Sequence, residues 1–299
     1  SGSTTFATTD AVATCVTALN TAPGVWYTFA GDGSQTTLSL CGSSYDTKIG
    51  VFSGSCGSLT CVTGNDDFCG ASSQVTFTAA TGTTYYVLVT GFSTASGNFT
   101  LSRTCIFPCT GVPSPGFITP TTSSVCAGTS VTLTLNSFPI ATGLTYQWKE
   151  ATTPGGTYTN IAGATNTTYT FTAAATRYYV CTVTCTNPGG GSATTAEVVV
   201  NVSSPQHSTI TATPNANLCS PATSVITATA TGGIGSYSHT LTGPGAIGAP
   251  VVSGANNANV SFTVTGIPAG VNTYTLTTTD GLGCTKVSTV NVTVNQTPI

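Results

Sequence analysis

The sequence predicts an all-β chain of three tandem β-sandwich domains stabilised by disulfides, and three observations carry that expectation. Short runs rich in Thr, Val and Tyr alternate polar and apolar residues with the period of two of a half-buried strand, and Gly, Pro, Asn and Ser separate them. No extended stretch shows the 3.6-residue period with caps, and Leu, Glu, Lys and Arg are scarce. Twelve cysteines stand beside only two histidines; their spacings are not those of paired zinc ligands, so they read as a disulfide framework.

Taken in order, GVWYTFA, TTLSL, QVTFTA, TYYVLVTG and NFTLS are the expected strands of a first domain, residues 1–108. The Pro-rich stretch PCTGVPSPGFITPTT (108–122) reads as a connector. SVTLTL, TYQWK, TYTFT, YYVCTV and AEVVVNV then fill a second domain, 109–204. VSSPQHSTITATP (202–214) is a second expected connector, and SVITATA, NVSFTV, TYTLTTT and STVNVTV fill a third domain, 205–299. The second and third domains both end on a Val-rich strand, VVVNV and VNVTV, which suggests related folds.

Composition excludes several functions. Only 4% of residues are charged and the net charge is −3, while mean hydropathy is +0.26, so the chain lacks the signature of disorder. Five Lys and Arg, scattered along the sequence, cannot build the basic stripe that nucleic acid needs. No apolar run approaches the ~18 residues of a membrane span. Ser1 opens directly into SGSTTFATTD, which reads as a processed chain or an excised fragment without a signal peptide. Disulfides place the protein outside the cytoplasm, secreted or on a cell surface. A surface hydrated by Thr, Ser and Asn rather than by charge offers little repulsion between copies, which suits packing against neighbours.

Catalysis is not expected. Neither a G-x-S-x-G elbow nor an H-E-x-x-H helix is present. His207 lies in the second connector and His239 in SYSHTL, and both read as exposed polar residues. Asp66 and Asp67 could mimic a glycosidase pair, but neighbours on an extended segment point to opposite sides.

Residues 12–104 carry APGVWYTF, YDTKIGVFSGSCGSLTCVTGNDDFCG, TTYYVLVTGF and SGNFTLS, and through these the first domain resembles a jelly roll of the CUB-like and bacterial pre-peptidase C-terminal kind. Such modules recur in large secreted proteins of the Bacteroidota. TYQWKE and RYYVCTV resemble an immunoglobulin-like domain, with Trp148 in the place of its strand-C Trp and Tyr179 two residues before Cys181, as in a tyrosine corner. That resemblance implies a Cys126–Cys181 bond, although Cys126 precedes the SVTLTL run instead of lying inside it. The third domain resembles the Ig-like or PKD-like repeats of bacterial surface proteins, and its Cys219 and Cys284 have no other local partner.

Three of the eight carboxylates, Asp46, Asp66 and Asp67, fall within residues 45–70. Ca²⁺ takes six to eight oxygens, usually including several carboxylates. CUB-like modules often hold calcium at one end of the sandwich, so the resemblance implies a Ca²⁺ site of Asp46, Asn65, Asp66 and Asp67. The alternative reading is that these are turn residues bonding their own backbone, with Lys48 supplying neutralisation. Within this domain Cys56 with Cys61, Cys41 with Cys69, and Cys15 with Cys105 are the expected pairs, leaving Cys109 with Cys185; sequence alone does not fix connectivity.

The function expected from these features is structural: a subunit of a cell-surface filament, or a rod segment of a large adhesin, whose partners are neighbouring copies of the same chain and a surface ligand. The N-terminal SGSTTFATTD is expected to be held by a neighbouring domain or subunit as an added strand. The alternative is a carbohydrate- or protein-binding module of a larger secreted enzyme, with Tyr45 and Phe68 as the contact residues and Trp26 in the core.

Overall fold

Every regular element among the described residues is a β-strand, as the period-two runs require. The computed structural model describes residues 1–216, 218–249, 252–253 and 258–296. It divides into two compact units: Ser1–Ser114 with Pro139–Thr145 and Thr184–Ala193, and Pro115–Phe138 with Tyr146–Val183 and Thr194–Ile299.

The first nine strands are β1 (Gly2–Ser3), β2 (Val25–Ala30), β3 (Gln35–Ser39), β4 (Thr47–Ser55), β5 (Ser58–Asn65), β6 (Gln74–Thr78), β7 (Thr84–Gly91), β8 (Asn98–Phe99) and β9 (Ser102–Ile106). One antiparallel sheet runs β2-β7-β4-β5 and another β6-β3-β9. Leu38, Ile49, Val51, Val75, Val87 and Val89 form the main core. β4 is buried on both of its faces over Thr47–Phe52. Ile49 and Val51 belong to that core, while Phe52, on the opposite side of the pleat, packs with Cys15, Leu19 and Leu88. A Cβ on Gly50 would lie 2.2 Å from Leu19 Cδ1, so a larger residue there would displace the Leu19 side chain that packs the N-terminal segment.

The N-terminus is tied within its own unit, which corrects the expectation that a neighbour holds it. Gly2 and Ser3 pair with Phe99 and Asn98, and the Thr4 hydroxyl accepts the Gly97 N–H (3.1 Å). Short pairing of this kind suffices because β8 offers a free edge.

The next strands are β10 (Phe117–Pro120), β11 (Ser124–Cys126), β12 (Ser130–Asn136), β13 (Leu144–Ala151), β14 (Thr159–Asn160), β15 (Thr168–Thr172), β16 (Arg177–Cys185), β17 (Ser192–Thr194) and β18 (Val198–Ser203). They form the sheets β10-β12-β15 and β11-β18-β16-β13-β14, with β17 beside β16. Trp148 on β13 is fully buried and donates its indole N–H to the Asn166 carbonyl (2.8 Å). Nearby, Tyr169 stacks on Phe171, and Tyr179 packs against Phe171 at a tilt.

The last ten strands are β19 (Gln206–His207), β20 (Thr211–Thr213), β21 (Leu218–Cys219), β22 (Ala222–Thr231), β23 (Tyr237–Thr242), β24 (Ala246–Ile247), β25 (Val252–Ser253), β26 (Ala258–Ile267), β27 (Gly270–Thr279) and β28 (Thr285–Asn295). Sheets β19-β22-β26-β24, with β20 beside β22, and β21-β28-β27-β23-β25 enclose Ile226, Leu241, Phe262, Val264, Tyr274 and Leu276. Much of the stretch 202–214, expected as a connector, is folded: β18 continues to Ser203, and Gln206 and His207 pair with Thr231 and Ala230.

Among the described residues four disulfides are present: Cys15–Cys61, Cys41–Cys69, Cys109–Cys185 and Cys126–Cys284. Three expected pairings are corrected, and a fourth falls with them. Cys15 bonds Cys61 rather than Cys105, because the N-terminal segment crosses β5, where a Cβ on Gly64 would meet the Cys15 carbonyl. Cys105 pairs in register with Thr36 in the other sheet, and Cys56 is exposed between β4 and β5. Cys126 does not bond Cys181: β11 lies beside β18 in the sheet that contains Cys181, so no bond can cross the core there. Cys284 therefore goes to Cys126 and not to Cys219, which stays exposed and unbonded.

The acidic cluster and the buried polar sites

Antiparallel pairing of β4 with β5, in which Ile49 opposes Asn65, brings the residue before β4 beside the turn after β5. Asp46 thereby meets Asp66 and Asp67, and one carboxylate oxygen of each lies within 4.8 Å of the others. The Cys41–Cys69 bond brackets both turns. Backbone contacts hold the place: Phe92 N–H donates to the Asp46 carbonyl (3.0 Å), and the Ser73 hydroxyl contacts the carbonyls of Thr47 and Asp66.

Lys48 is nearly buried and reaches Asp66 Oδ2 (3.1 Å), the Ala18 carbonyl (3.3 Å) and the face of Phe92. One ammonium against three carboxylates leaves an excess of two negative charges, the charge of one divalent ion. Two of the oxygens, Asp46 Oδ1 and Asp66 Oδ1, are buried with no hydrogen-bond partner. Burial, then the charges of Asp66 and Asp67, hold the Asp46 carboxyl above the usual carboxylate range despite Lys48. Clustered carboxylate oxygens with unfilled acceptor capacity are of the kind a divalent cation takes, and Asp46, Asp66 and Asp67 are the residues that would hold one. The Asn65 side-chain oxygen accepts the Gln74 N–H (3.1 Å) and ties β5 to β6.

The two aromatic candidates separate. Tyr45 is half-buried against the main core and bonded to the Thr4 hydroxyl (3.2 Å), whereas Phe68 is 63% exposed beside the acidic residues. Trp26 packs on Phe52 and donates to Asp10 Oδ2 (2.9 Å).

In the second unit the sequence reading passed over a buried carboxylate, Asp280, at the end of β27. It accepts N–H groups from Ile234 (2.9 Å), Leu282 (3.0 Å) and Cys284 (2.8 Å), and the Ser203 hydroxyl. Burial pushes this carboxyl up, but the Ser203 hydroxyl and the three N–H groups outweigh it and hold it below the usual range. Ser203 closes β18, and the Cys126–Cys284 bond lies alongside. Asp280 is therefore half of a joint between two sandwiches.

Both histidines are built in, which corrects their reading as exposed residues. His239 is fully buried, its Nδ1 2.7 Å from Thr278 Oγ1, and its ring stacks on Tyr237. His207 places Nε2 2.7 Å from the same hydroxyl and Nδ1 2.8 Å from Ser288 Oγ. The signal was available: Tyr237, His239 and Leu241 alternate inward along β23, as period two demands. Cys181 is likewise buried, and burial pushes its thiol up to about 11.

Residues 114–204 match a family described as a domain of unknown function, DUF8696. No curated protein matches the chain in sequence. Among solved structures, the chicken CNTN1 FN1-FN3 domains are similar over 90% of this chain and 98% of theirs, at 11% identity and a TM-score of 0.30. The fibronectin(III)-like modules of Clostridium thermocellum CbhA are similar over 60% of this chain and 95% of theirs, at 16% identity and a TM-score of 0.24. Neither likeness bears on what this chain does.

Proposed function

We propose that the chain is an extracellular structural protein of three β-sandwich domains (1–108, 109–204 and 205–299), a subunit of a cell-surface filament or a segment of a large adhesin. It acts by self-association and adhesion, and it is not an enzyme. The observation that carries this reading is where the chain invests its buried polar groups. Asp280, Ser203 and the Cys126–Cys284 bond fix one sandwich to the next, and His207, Thr278, His239 and Ser288 knit strands together. An uncharged outer face on β27 and β28 supports self-association: Thr279, Thr277, Thr275 and Thr273 stand opposite Thr285, Val287, Thr289 and Asn291. Such a face presents hydroxyls and amides to a second copy without charge repulsion. Bound Ca²⁺ at Asp46, Asp66 and Asp67 would neutralise the cluster and fix the two turns.

Electron microscopy of native, unreduced material tests this reading. Filaments with a regular repeat are expected; separate single particles at high concentration would remove the filament version. One observation favours the second reading, a glycan-binding module: Phe68 stands exposed next to the acidic turns. A glycan array probed with the chain in Ca²⁺ decides it, since a blank array at high protein concentration leaves the structural role alone.

A further inference from the structure

We infer that the four disulfides form a tension shunt that takes most of the chain out of the path of a pulling force. The bonds come as two interleaved pairs: Cys15–Cys61 overlaps Cys41–Cys69, and Cys109–Cys185 overlaps Cys126–Cys284. Force applied at Ser1 and Ile299 follows the shortest covalent route. That route is residues 1–15, the Cys15–Cys61 bond, residues 61–126, the Cys126–Cys284 bond, and residues 284–299. Only about 95 residues of backbone can become taut, a length of about 320 Å when fully drawn out, against about 1,000 Å for the whole chain without bonds.

The division of labour within each pair follows from the same topology. Cys15–Cys61 and Cys126–Cys284 carry the load, whereas Cys41–Cys69 and Cys109–Cys185 lie off the route while their partners hold. Each unloaded bond is a reserve. If Cys126–Cys284 opens, the route switches through Cys109–Cys185, and the chain lengthens by about 280 Å instead of releasing everything between 126 and 284. If Cys15–Cys61 opens, Cys41–Cys69 takes over and the gain is only about 60 Å. Sheltered inside the 126–284 loop are the buried Trp148 and the His207–Thr278–His239 cluster. The device gives a load-bearing link low extensibility and graded failure. Its biological use rests on the structural role proposed above; its test does not.

The test is single-molecule force spectroscopy on the full 299-residue chain, held by handles at its two ends. The oxidised chain should stop lengthening near about 320 Å, and the fully reduced chain near about 1,000 Å. The double variant Cys126→Ser, Cys284→Ser should stop near about 600 Å when oxidised. Contour length depends on connectivity alone, so this readout survives a variant that folds poorly. Under constant force in a mild reductant, the oxidised chain should lengthen in discrete steps, among them one of about 280 Å and one of about 60 Å. An oxidised chain that extends well past about 320 Å, or a double variant no longer than the wild type, overturns the inference. The same result would leave filament formation, read by microscopy, unaffected.

Discussion

A buried carboxylate, Asp280, and a half-buried acidic cluster are made of the same residue type and have opposite inventories of partners. Asp280 in the second unit has four donors around it and its carboxyl is held low. Asp46 and Asp66 in the first unit each keep a buried oxygen without a partner, and the Asp46 carboxyl is held high. A carboxylate whose acceptor capacity is filled by the chain is a structural part. A group of carboxylates whose capacity is left over has room for a cation. The difference places Asp280 in the joint and leaves the Asp46–Asp66–Asp67 group as the site proposed above for Ca²⁺.

Substitution sharpens the contrast. Asp280→Asn keeps the volume but turns an acceptor-only group into one that points N–H groups at N–H donors. A loss of about 2–4 kcal/mol in urea denaturation is expected. A loss under about 1 kcal/mol would mean that the joint is not held by this carboxylate. Adding Ca²⁺ at a hundredfold excess over its dissociation constant should stabilise the chelated protein by about 2.7 kcal/mol, read as a rise in the thermal midpoint.

The histidine cluster sets the pH dependence. Burial holds His207 and His239 below the ordinary imidazole value, and for His207 the charges of His239 and Lys286 add to it. The unfolded chain then binds more protons than the folded one once pH falls below about 6.5, so stability is full above that value and declines beneath it, by up to about 1.4 kcal/mol per pH unit for each histidine. Denaturation midpoints at pH 7, 6 and 5 check the slope, and His239→Gln should flatten it. A midpoint that is constant or rises on acidification would contradict the burial of this cluster. The smallest effect is also the most diagnostic. Without divalent ions Asp46→Asn should raise stability by roughly 0.5 kcal/mol, because it removes a repelled charge. With Ca²⁺ the same substitution should lower it.

Much of the fold was legible in the sequence, because strand periodicity is local. The runs QVTFT, SVTLTL and TYTLTTT each became a strand with its apolar residues inward. The acidic turns were legible for a similar reason, since a hairpin register brings Asp46 and Asp66 together once β4 and β5 are recognised. Disulfide connectivity was not, because it depends on which sheet each strand joins. Cys126 looked like the first cysteine of an immunoglobulin core, but three residues of parallel pairing with β18 put it on the wrong sheet for Cys181. For Asp280 only the local half was legible: a turn DGLGC lets the carboxylate accept the N–H groups of Leu282 and Cys284, whereas Ser203 and Ile234, which complete its set of donors, are remote in sequence.

The most direct measurement is calorimetric titration of Ca²⁺ into the chelated, oxidised chain, in parallel with Asp66→Asn and Asp280→Asn. One Ca²⁺ per chain is expected for the parent and for Asp280→Asn under conditions where it is folded, with heat lost in Asp66→Asn. An absence of heat in the parent, together with a thermal midpoint indifferent to Ca²⁺ and chelator, would contradict the assignment and return the acidic residues to their role as turns.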